Sequence, residues 1–101
     1  MDRRAELHAK FEELLGSRHV YFQPPRSVRL VYPCIIYGLN RIDVKHADNT
    51  MYLGKPGYTV TIVSPDPDYP LVYELLKLPY CSFSSFYTAD DLNHWVLEIY
   101  Y

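Results

Sequence analysis

The stretch YTVTIVS at residues 58–64 decides the fold, because it is a strand signal that ends abruptly in PDPD at residues 65–68. Val, Ile, Thr and Tyr favour strands, and their alternation is typical of a strand with one buried face. Prolines at positions 65 and 67 cannot continue a regular ladder. We therefore predict a strand over residues 58–64 and a sharp break directly after it.

A short helix is predicted next, over roughly residues 69–78. Asp68 is a suitable N-cap, and Pro70 is tolerated in a first helical turn. The spacing of the apolar residues predicts a buried stripe of Val72, Leu75 and Leu76. Pro79 ends this helix.

A final hairpin is predicted from residue 81 onward. Residues 81–88 indicate one strand, residues 89–91 a turn, and residues 92–101 the returning strand. Alternation in the returning strand assigns one face to the larger apolar residues: Trp95, Leu97, Ile99 and Tyr101.

The chain upstream of residue 58 begins with an amphipathic helix between Asp2 as N-cap and Gly16 as C-terminal stop. Its apolar stripe has the spacing of a single helix face: Leu7, Phe11, Leu14 and Leu15. Residues 17–27 contain YFQPP and predict an extended connector, or an arm that touches a neighbour.

Strand character then extends from residue 28 to residue 38, interrupted by Pro33. Residues 40–57 are polar, and the alternation of residues 41–45 continues the strand. We predict that the remainder, residues 47–57, is an exposed loop or hairpin tip.

These elements predict one α+β domain spanning residues 1–101, in the order α-β-β-α-β-β. The expected architecture is an antiparallel sheet of about four strands with two helices packed on one face. A chain of 101 residues buries only about two-thirds of its unfolded surface, so oligomerisation is a plausible source of further stability.

The composition argues against two classes of function, nucleic-acid binding and membrane insertion. Ten basic and twelve acidic residues give a formal net charge of −2, and no strongly basic cluster suggests a nucleic-acid partner. A stacking surface for single-stranded RNA also lacks the usual basic-aromatic pattern. No apolar run is long enough to span a membrane, and the charged N-terminus lacks a signal-peptide core, so we expect a cytoplasmic site of synthesis and no membrane partner.

Eleven tyrosines among 101 residues are the most informative feature of the composition. Tyrosine supplies a large contact area with a polar tip and is enriched at protein interfaces. It also lines half-exposed sheets, and composition does not separate these two roles.

Catalytic, cofactor and metal sites are not predicted. Cys81 with His94 is the one nucleophile–base pair that the hairpin could bring together, but no residue orients the histidine. The four histidines lack zinc-ligand spacing, and the four glycines form no phosphate-binding motif.

Four stretches together resemble a known family: YPCIIYG (32–38), DNTMY (48–52), YTVTIVSPDPD (58–68) and LPYCSFSSFYTADDLNHWVLEIYY (78–101). They are similar to the tail terminators, also called tail-completion or tail-to-head joining proteins, of long-tailed bacteriophages. The resemblance implies an α+β subunit of a ring, commonly of six copies, that caps the tail tube and offers a surface to the head connector. It implies no catalytic residues.

The resemblance also implies the partners and the location. The expected partners are further copies of the chain, the tail tube protein and a head–tail connector or stopper protein, in the neck or tail of a virion assembled in the host cytoplasm. Residues that we expect at the protein interfaces are Tyr21, Phe22, Asp48, Asn49, Tyr52, Tyr100 and Tyr101. Two alternatives stay open: another connector ring protein (stopper or adaptor), and a small hydrolase using Cys81 and His94.

Overall fold

A five-stranded mixed sheet with two helices forms the fold. The structure is a computed structural model that describes the backbone of residues 3–47 and 50–101 and the side chains of residues 3–40 and 56–101. The elements are α1 (Arg3–Leu15), β1 (Val20–Phe22), β2 (Cys34–Ala47), β3 (Thr50–Ser64), α2 (Leu71–Leu76), β4 (Cys81–Ala89) and β5 (Leu92–Tyr100). The strand order is β1-β2-β3-β5-β4. The predicted α+β class is confirmed.

Helix α1 has the predicted apolar stripe and ends at Gly16 as predicted, whereas its predicted N-cap Asp2 lies outside the described residues. Leu7 and Phe11 are fully buried, and Leu14 packs against the same core. Gly16 adopts a φ of +78°, and its N–H donates to the carbonyl of Glu12 at 2.9 Å. A glycine suits this left-handed position because it has no Cβ to clash.

The predicted connector at residues 17–27 is wrong in one respect, because it contains strand β1. Val20 pairs with Ile35 and Phe22 with Tyr37, and this pairing is parallel. A buried Val20 explains the strand, since its side chain joins the core from the sheet edge. The sheet therefore has five strands and is mixed, where we predicted about four antiparallel strands.

Residues 28–32 are not a strand, although their composition predicts one. Val28, Val31 and Tyr32 are exposed, so their side chains do not pack against the core although these residue types favour strands. The segment instead belongs to the connection that returns from the end of β1 to the start of β2.

The predicted exposed loop or hairpin tip at residues 47–57 does contain the end of a hairpin, but most of the segment is strand rather than loop. Strands β2 and β3 form a long hairpin in which Val44 pairs with Leu53 and Ala47 with Thr50. The pairing register between the two strands shifts at Leu39/Arg41 and at Ile42/Val44, where one strand has an extra residue, as in a β-bulge. Fourteen strand residues span about 48 Å, and this length agrees with the 51 Å long dimension of the molecule.

Helix α2 is shorter than predicted, and Pro70 rather than Asp68 occupies its N-cap position. The carboxylate of Asp66 accepts the N–H of Asp68 at 3.0 Å, and the Ser64 hydroxyl accepts the N–H of Asp66 at 3.1 Å. The PDPD break is thus a pair of side-chain-capped turns that precede the helix.

Both helices bury their apolar residues in one core with alternate residues of the sheet. The members of this core are Leu7, Phe11, Val20, Ile35, Tyr37, Tyr58, Val60, Ile62, Leu71, Val72, Leu75, Leu97 and Ile99. Cross-strand pairs such as Val60 with Leu97 place these side chains on the same face. The prediction that both helices cover one face agrees with this arrangement.

The β4–β5 hairpin forms as predicted, except that Ala89, which was predicted in the turn, ends β4 and pairs with Leu92. The turn residues Asp90 and Asp91 have φ values of 54° and 62°. Two consecutive left-handed residues are the signature of a two-residue hairpin turn that matches the twist of the strands.

Candidate functional site

Strand β4 is the outer strand at one edge of the sheet, and it is unusually open. Cys81 is half-buried, whereas the other eight residues of the strand are exposed. The sequence CSFSSFYTA carries no charge, and charge is a common protection of an exposed edge. This edge is therefore chemically suited to contact with another molecule.

A bulge in β4 brings two phenylalanines onto one face. Phe83 lies opposite Leu97 and Phe86 opposite Trp95, and the register shifts between Phe83 and Ser85. In a regular strand, residues three apart face opposite sides of the sheet, but the extra residue restores the alignment. Phe83 is 51% exposed and Phe86 48% exposed, on the side of the sheet that carries the helices.

A groove of about 380 Å³ lies between α2 and this aromatic edge. Its lining is Pro67, Asp68, Tyr69, Val72, Tyr73, Leu76, Phe83, Phe86 and Trp95. The rings of Phe86 and Trp95 are 5.5 Å apart at their centroids. The volume is in the range of known binding pockets, and the six-residue α2 leaves Phe83 and Phe86 beside it about half exposed.

Acidic residues mark one end of the groove. Asp68 lies in the lining, and Asp66 is close to Tyr69. Burial raises the pKa of the Tyr69 hydroxyl, and the negative charge of Asp66 raises it further. The groove therefore combines an aromatic floor with a negatively charged rim.

The opposite face of the sheet carries a second aromatic feature near the same edge. Tyr87 stacks on His94 with ring centroids 4.5 Å apart and an interplanar angle of 10°. The Nδ1 atom of His94 is buried and has no hydrogen-bond partner among the described residues. On the same face, the Asn40 amide donates to the Glu98 carboxylate at 3.1 Å.

Two of the residues predicted at interfaces, Phe22 and Tyr101, are partly buried and also make contacts within the fold. Phe22 packs against Tyr37 and lies under the guanidinium of Arg4 at 4.2 Å. Tyr101 packs against the core, and the Arg3 Nε donates to its main-chain oxygen at 2.7 Å.

The other predicted interface residues have varied positions. The hydroxyl of Tyr21 accepts the Val31 N–H at 3.3 Å, and Tyr100 is half-buried in β5. The backbone of Tyr52 pairs with Lys45 in the long hairpin. Asp48 and Asn49 lie outside the described residues.

The exposed aromatic surface at the β4 edge was missed by the sequence reasoning. Its largest members are Tyr73, Phe83, Phe86 and Tyr87. The sequence feature that could have indicated this surface is the uncharged run CSFSSFY, which mixes large aromatic residues with small hydroxyl residues. Only the bulge decides that both phenylalanines share a face.

Cys81 and His94 do not form a catalytic pair. Cys81 lies opposite Ile99 and His94 opposite Tyr87, so their side chains point to opposite faces of the sheet. Five residues along the strand also separate these positions by about 17 Å. Burial raises the pKa of the Cys81 thiol, which further lowers its reactivity near neutral pH.

Metal-binding and membrane-spanning features are absent from the described part of the chain. Among the side chains that the structure describes, those of residues 3–40 and 56–101, no three His, Cys, Asp or Glu residues cluster in a way that could hold a metal ion. No helix in those ranges is long and apolar enough to cross a membrane.

Comparison with known proteins gives no relative from which a role could be transferred. No protein-family model matches the chain, and no curated protein or solved structure matches it significantly.

Proposed function

We propose that this chain is a structural virion protein of the neck or tail end of a long-tailed bacteriophage, which acts by binding copies of itself and adjacent proteins. The observation that carries the proposal is the open β4 edge with its exposed phenylalanines. Clustered exposed aromatic residues beside a groove are typical of protein-binding surfaces.

The two edges of the sheet differ, and this supports a ring. A closed ring uses one surface on each side of every subunit, and the two surfaces need not resemble each other. Strand β1 and strand β4 form the two edges, with three and nine residues respectively. A head-to-tail arrangement can therefore use both edges in every copy.

The specific role that we favour is that of a tail terminator, which caps the tail tube and joins it to the head. This role rests on the resemblance of residues 32–38, 48–52, 58–68 and 78–101 to that family. A stopper or adaptor of the head–tail connector is the second candidate, because it would also form a ring but would contact the portal side.

Light scattering and negative-stain imaging test the assembly directly. The purified chain is examined alone and after addition of purified tail tubes. We expect rings of about six copies, formed alone or at tube ends, and Phe86→Asp should abolish them, because a charge in an aromatic interface is costly. The matched control is Glu13→Gln, an exposed change on α1 away from the edge. A chain that never assembles and never binds tubes would contradict the proposal.

The end of the long hairpin provides a second test. Replacing residues 45–52 by Asn-Gly joins Val44 to Leu53, which are already paired. We expect an unchanged circular dichroism spectrum and a loss of tail-to-head joining. A variant with Asp48→Ala and Asn49→Ala keeps the hairpin at full length and removes only these two side chains. It therefore distinguishes an effect of hairpin length from an effect of the side chains. Normal joining by the shortened chain would exclude the hairpin from the interface.

The hydrolase alternative is not favoured, because Cys81 and His94 lie on opposite faces of the sheet, and Cys81→Ser tests it directly. A binding protein should tolerate this conservative change and assemble normally. Substrate turnover that the wild-type chain shows and the variant lacks would favour an enzyme instead.

A further inference from the structure

The connection between β1 and β2 is an exposed, basic, proline-containing segment. We define the proline arm as residues 23–33, QPPRSVRLVYP, which has no helix or strand. Pro25 and Arg26 are exposed, and the Val28 N–H donates to the Pro25 carbonyl at 3.1 Å to form a turn. Consecutive prolines favour an extended conformation that is already ordered before binding.

The arm is held at its base on the β1 side of the sheet. The side chain of Gln23 accepts the Leu39 N–H at 2.9 Å, and the Gln23 N–H donates to the Tyr37 carbonyl at 2.9 Å. Gln23 adopts a φ of +43°, so the chain turns sharply where it leaves the edge strand. Pro24 and Pro25 therefore start from the edge opposite β4, about 19 Å away across four strand spacings.

The groove at the β4 edge has the chemistry that a proline segment requires. Recognition of proline-rich segments uses grooves lined by aromatic side chains, because the rings pack on preformed extended prolines. Tyr69, Tyr73, Phe83, Phe86 and Trp95 supply such a lining. The bulge in β4 interrupts its ladder, which favours a side-chain contact over continuous strand pairing.

The charges of the two surfaces are complementary. The proline arm carries two arginines, Arg26 and Arg29, and no acidic residue. The groove lining contains Asp68 and no basic residue, and Asp66 lies close to Tyr69 beside it. Opposite charges steer association and select the register of contact.

We propose that the proline arm of one copy docks in the aromatic groove of the next copy, with Pro24 and Pro25 on the rings and Arg26 beside Asp68. Because the arm and the groove lie at opposite edges of the sheet, this contact is head-to-tail and repeats in every subunit. The inference rests on the proposed ring function and identifies the surfaces that join its subunits.

Trp95 provides the test, since it is the chain's one tryptophan and lines the groove. A synthetic peptide of residues 23–32, QPPRSVRLVY, is titrated into the full chain while Trp95 fluorescence is followed. We expect a saturable change that is lost in the Phe86→Ala chain. A peptide carrying Pro24→Ala and Pro25→Ala should bind about tenfold more weakly. Equal binding of the alanine peptide, or no saturable change, would overturn the proposal.

A charge swap distinguishes docking from a general loss of structure. Asp68 donates only its backbone N–H to the turn at Asp66, so Asp68→Lys keeps that hydrogen bond. We expect Asp68→Lys to weaken peptide binding roughly threefold to fivefold, and Arg26→Glu in the peptide to restore it. If the swapped pair binds no better than either single change, the assigned contact is wrong.

The full chain with Pro24→Ala and Pro25→Ala separates this inference from the proposed function. If that variant forms rings as well as the wild type, the arm contact is overturned and the ring stands. If the wild type never assembles but still binds the peptide, the groove contact stands and the ring fails. If tail tubes shield Trp95 from acrylamide quenching and the peptide does not bind, the groove's occupant is the tube and the arm contact is overturned.

Discussion

The two edges of the sheet differ in length and in how far their side chains are covered. Strand β1 has three residues, its Val20 is buried, and its Phe22 lies under Arg4. Strand β4 has nine residues, is exposed over eight of them and carries no charge. Soluble proteins usually shorten or cover an edge strand, and this chain does so at one edge only. We infer that packing of β1 contributes mainly to stability, whereas the proposed contacts between copies use the aromatic groove at β4 and the proline arm that leaves the β1 edge.

Among the changes that test this comparison, Tyr37→Ala is expected to have the largest effect, a loss of stability at the β1 edge. Tyr37 contacts Phe11 and Phe22 at ring-centroid distances of 5.2 and 4.9 Å and is 1% exposed. Truncation should lower the free energy of unfolding by about 4 kcal/mol, because it opens a cavity where α1 and β1 meet the sheet. Urea unfolding measures the loss.

Tyr37→Phe is the matched control for that change. It removes only the hydroxyl, which lies 2.7 Å from the His8 Nδ1, and should cost about 1 kcal/mol. If Tyr37→Ala costs no more than Tyr37→Phe, the β1 edge is not secured by this packing.

Alkaline pH is expected to have the next largest effect, through the buried thiol at the start of β2. Burial raises the pKa of Cys34 from 9.0 to about 11. The unfolded chain therefore loses this proton at lower pH than the folded chain. The stability from the neutral thiol is complete below pH 9 and is lost as pH rises through about 11, by about 2 kcal/mol.

Urea unfolding between pH 8 and pH 11, compared with Cys34→Ala, measures this contribution. The variant should show a shallower decline, because tyrosines and lysines titrate equally in both chains. Identical pH profiles would show that Cys34 does not contribute to the decline.

Phe86→Ala should affect stability less than assembly. About half of the Phe86 side chain is already exposed, so the cost in free energy of unfolding should be about 1 kcal/mol. Ring formation should nevertheless be lost, since aromatic residues at the centre of a contact contribute most of its affinity. Circular dichroism with light scattering compares the two effects. A large loss of stability would place Phe86 in the core and weaken the contrast between the edges.

Asp91→Gly is expected to give the smallest effect, and it is stabilising. Asp91 has a φ of 62°, which glycine adopts without the steric penalty of a side chain. We expect a gain of about 0.5 kcal/mol, measured as a small rise in the thermal midpoint. A lower midpoint would show that the Asp91 side chain stabilises the turn that ends β4.

Prediction from the sequence succeeded for the elements whose signals lie within a few neighbouring residues. The spacing of Leu7 and Phe11 predicts α1, and YTVTIVS before PDPD predicts the end of β3. It failed for β1, because the adjacent Pro24 and Pro25 masked a three-residue strand whose pairing partners are fifteen residues away in the chain. It failed for the long hairpin as well, because GKPG at residues 54–57 has the composition of a turn although those residues lie within β3.

The candidate site was less predictable than the fold. The abundance of tyrosine fits an aromatic interface or a half-exposed sheet and gives no position, and the expected residues Phe22 and Tyr101 are partly packed against the core. The site depends on which strand is outermost and on the bulge that aligns Phe83 with Phe86. Neither property is encoded by the spacing of neighbouring residues.

The amino-acid sequence by itself determined the α+β class, the positions of α1 and of the β4–β5 hairpin, and the abundance of aromatic residues. These depend on periodicity, caps and turns, which act over a few residues. Tertiary structure decided the strand order, the parallel pairing of β1 and the exposure of β4. Those properties arise because burial and strand pairing join residues far apart in the chain, and the edge that remains uncovered is known only when all pairings are formed.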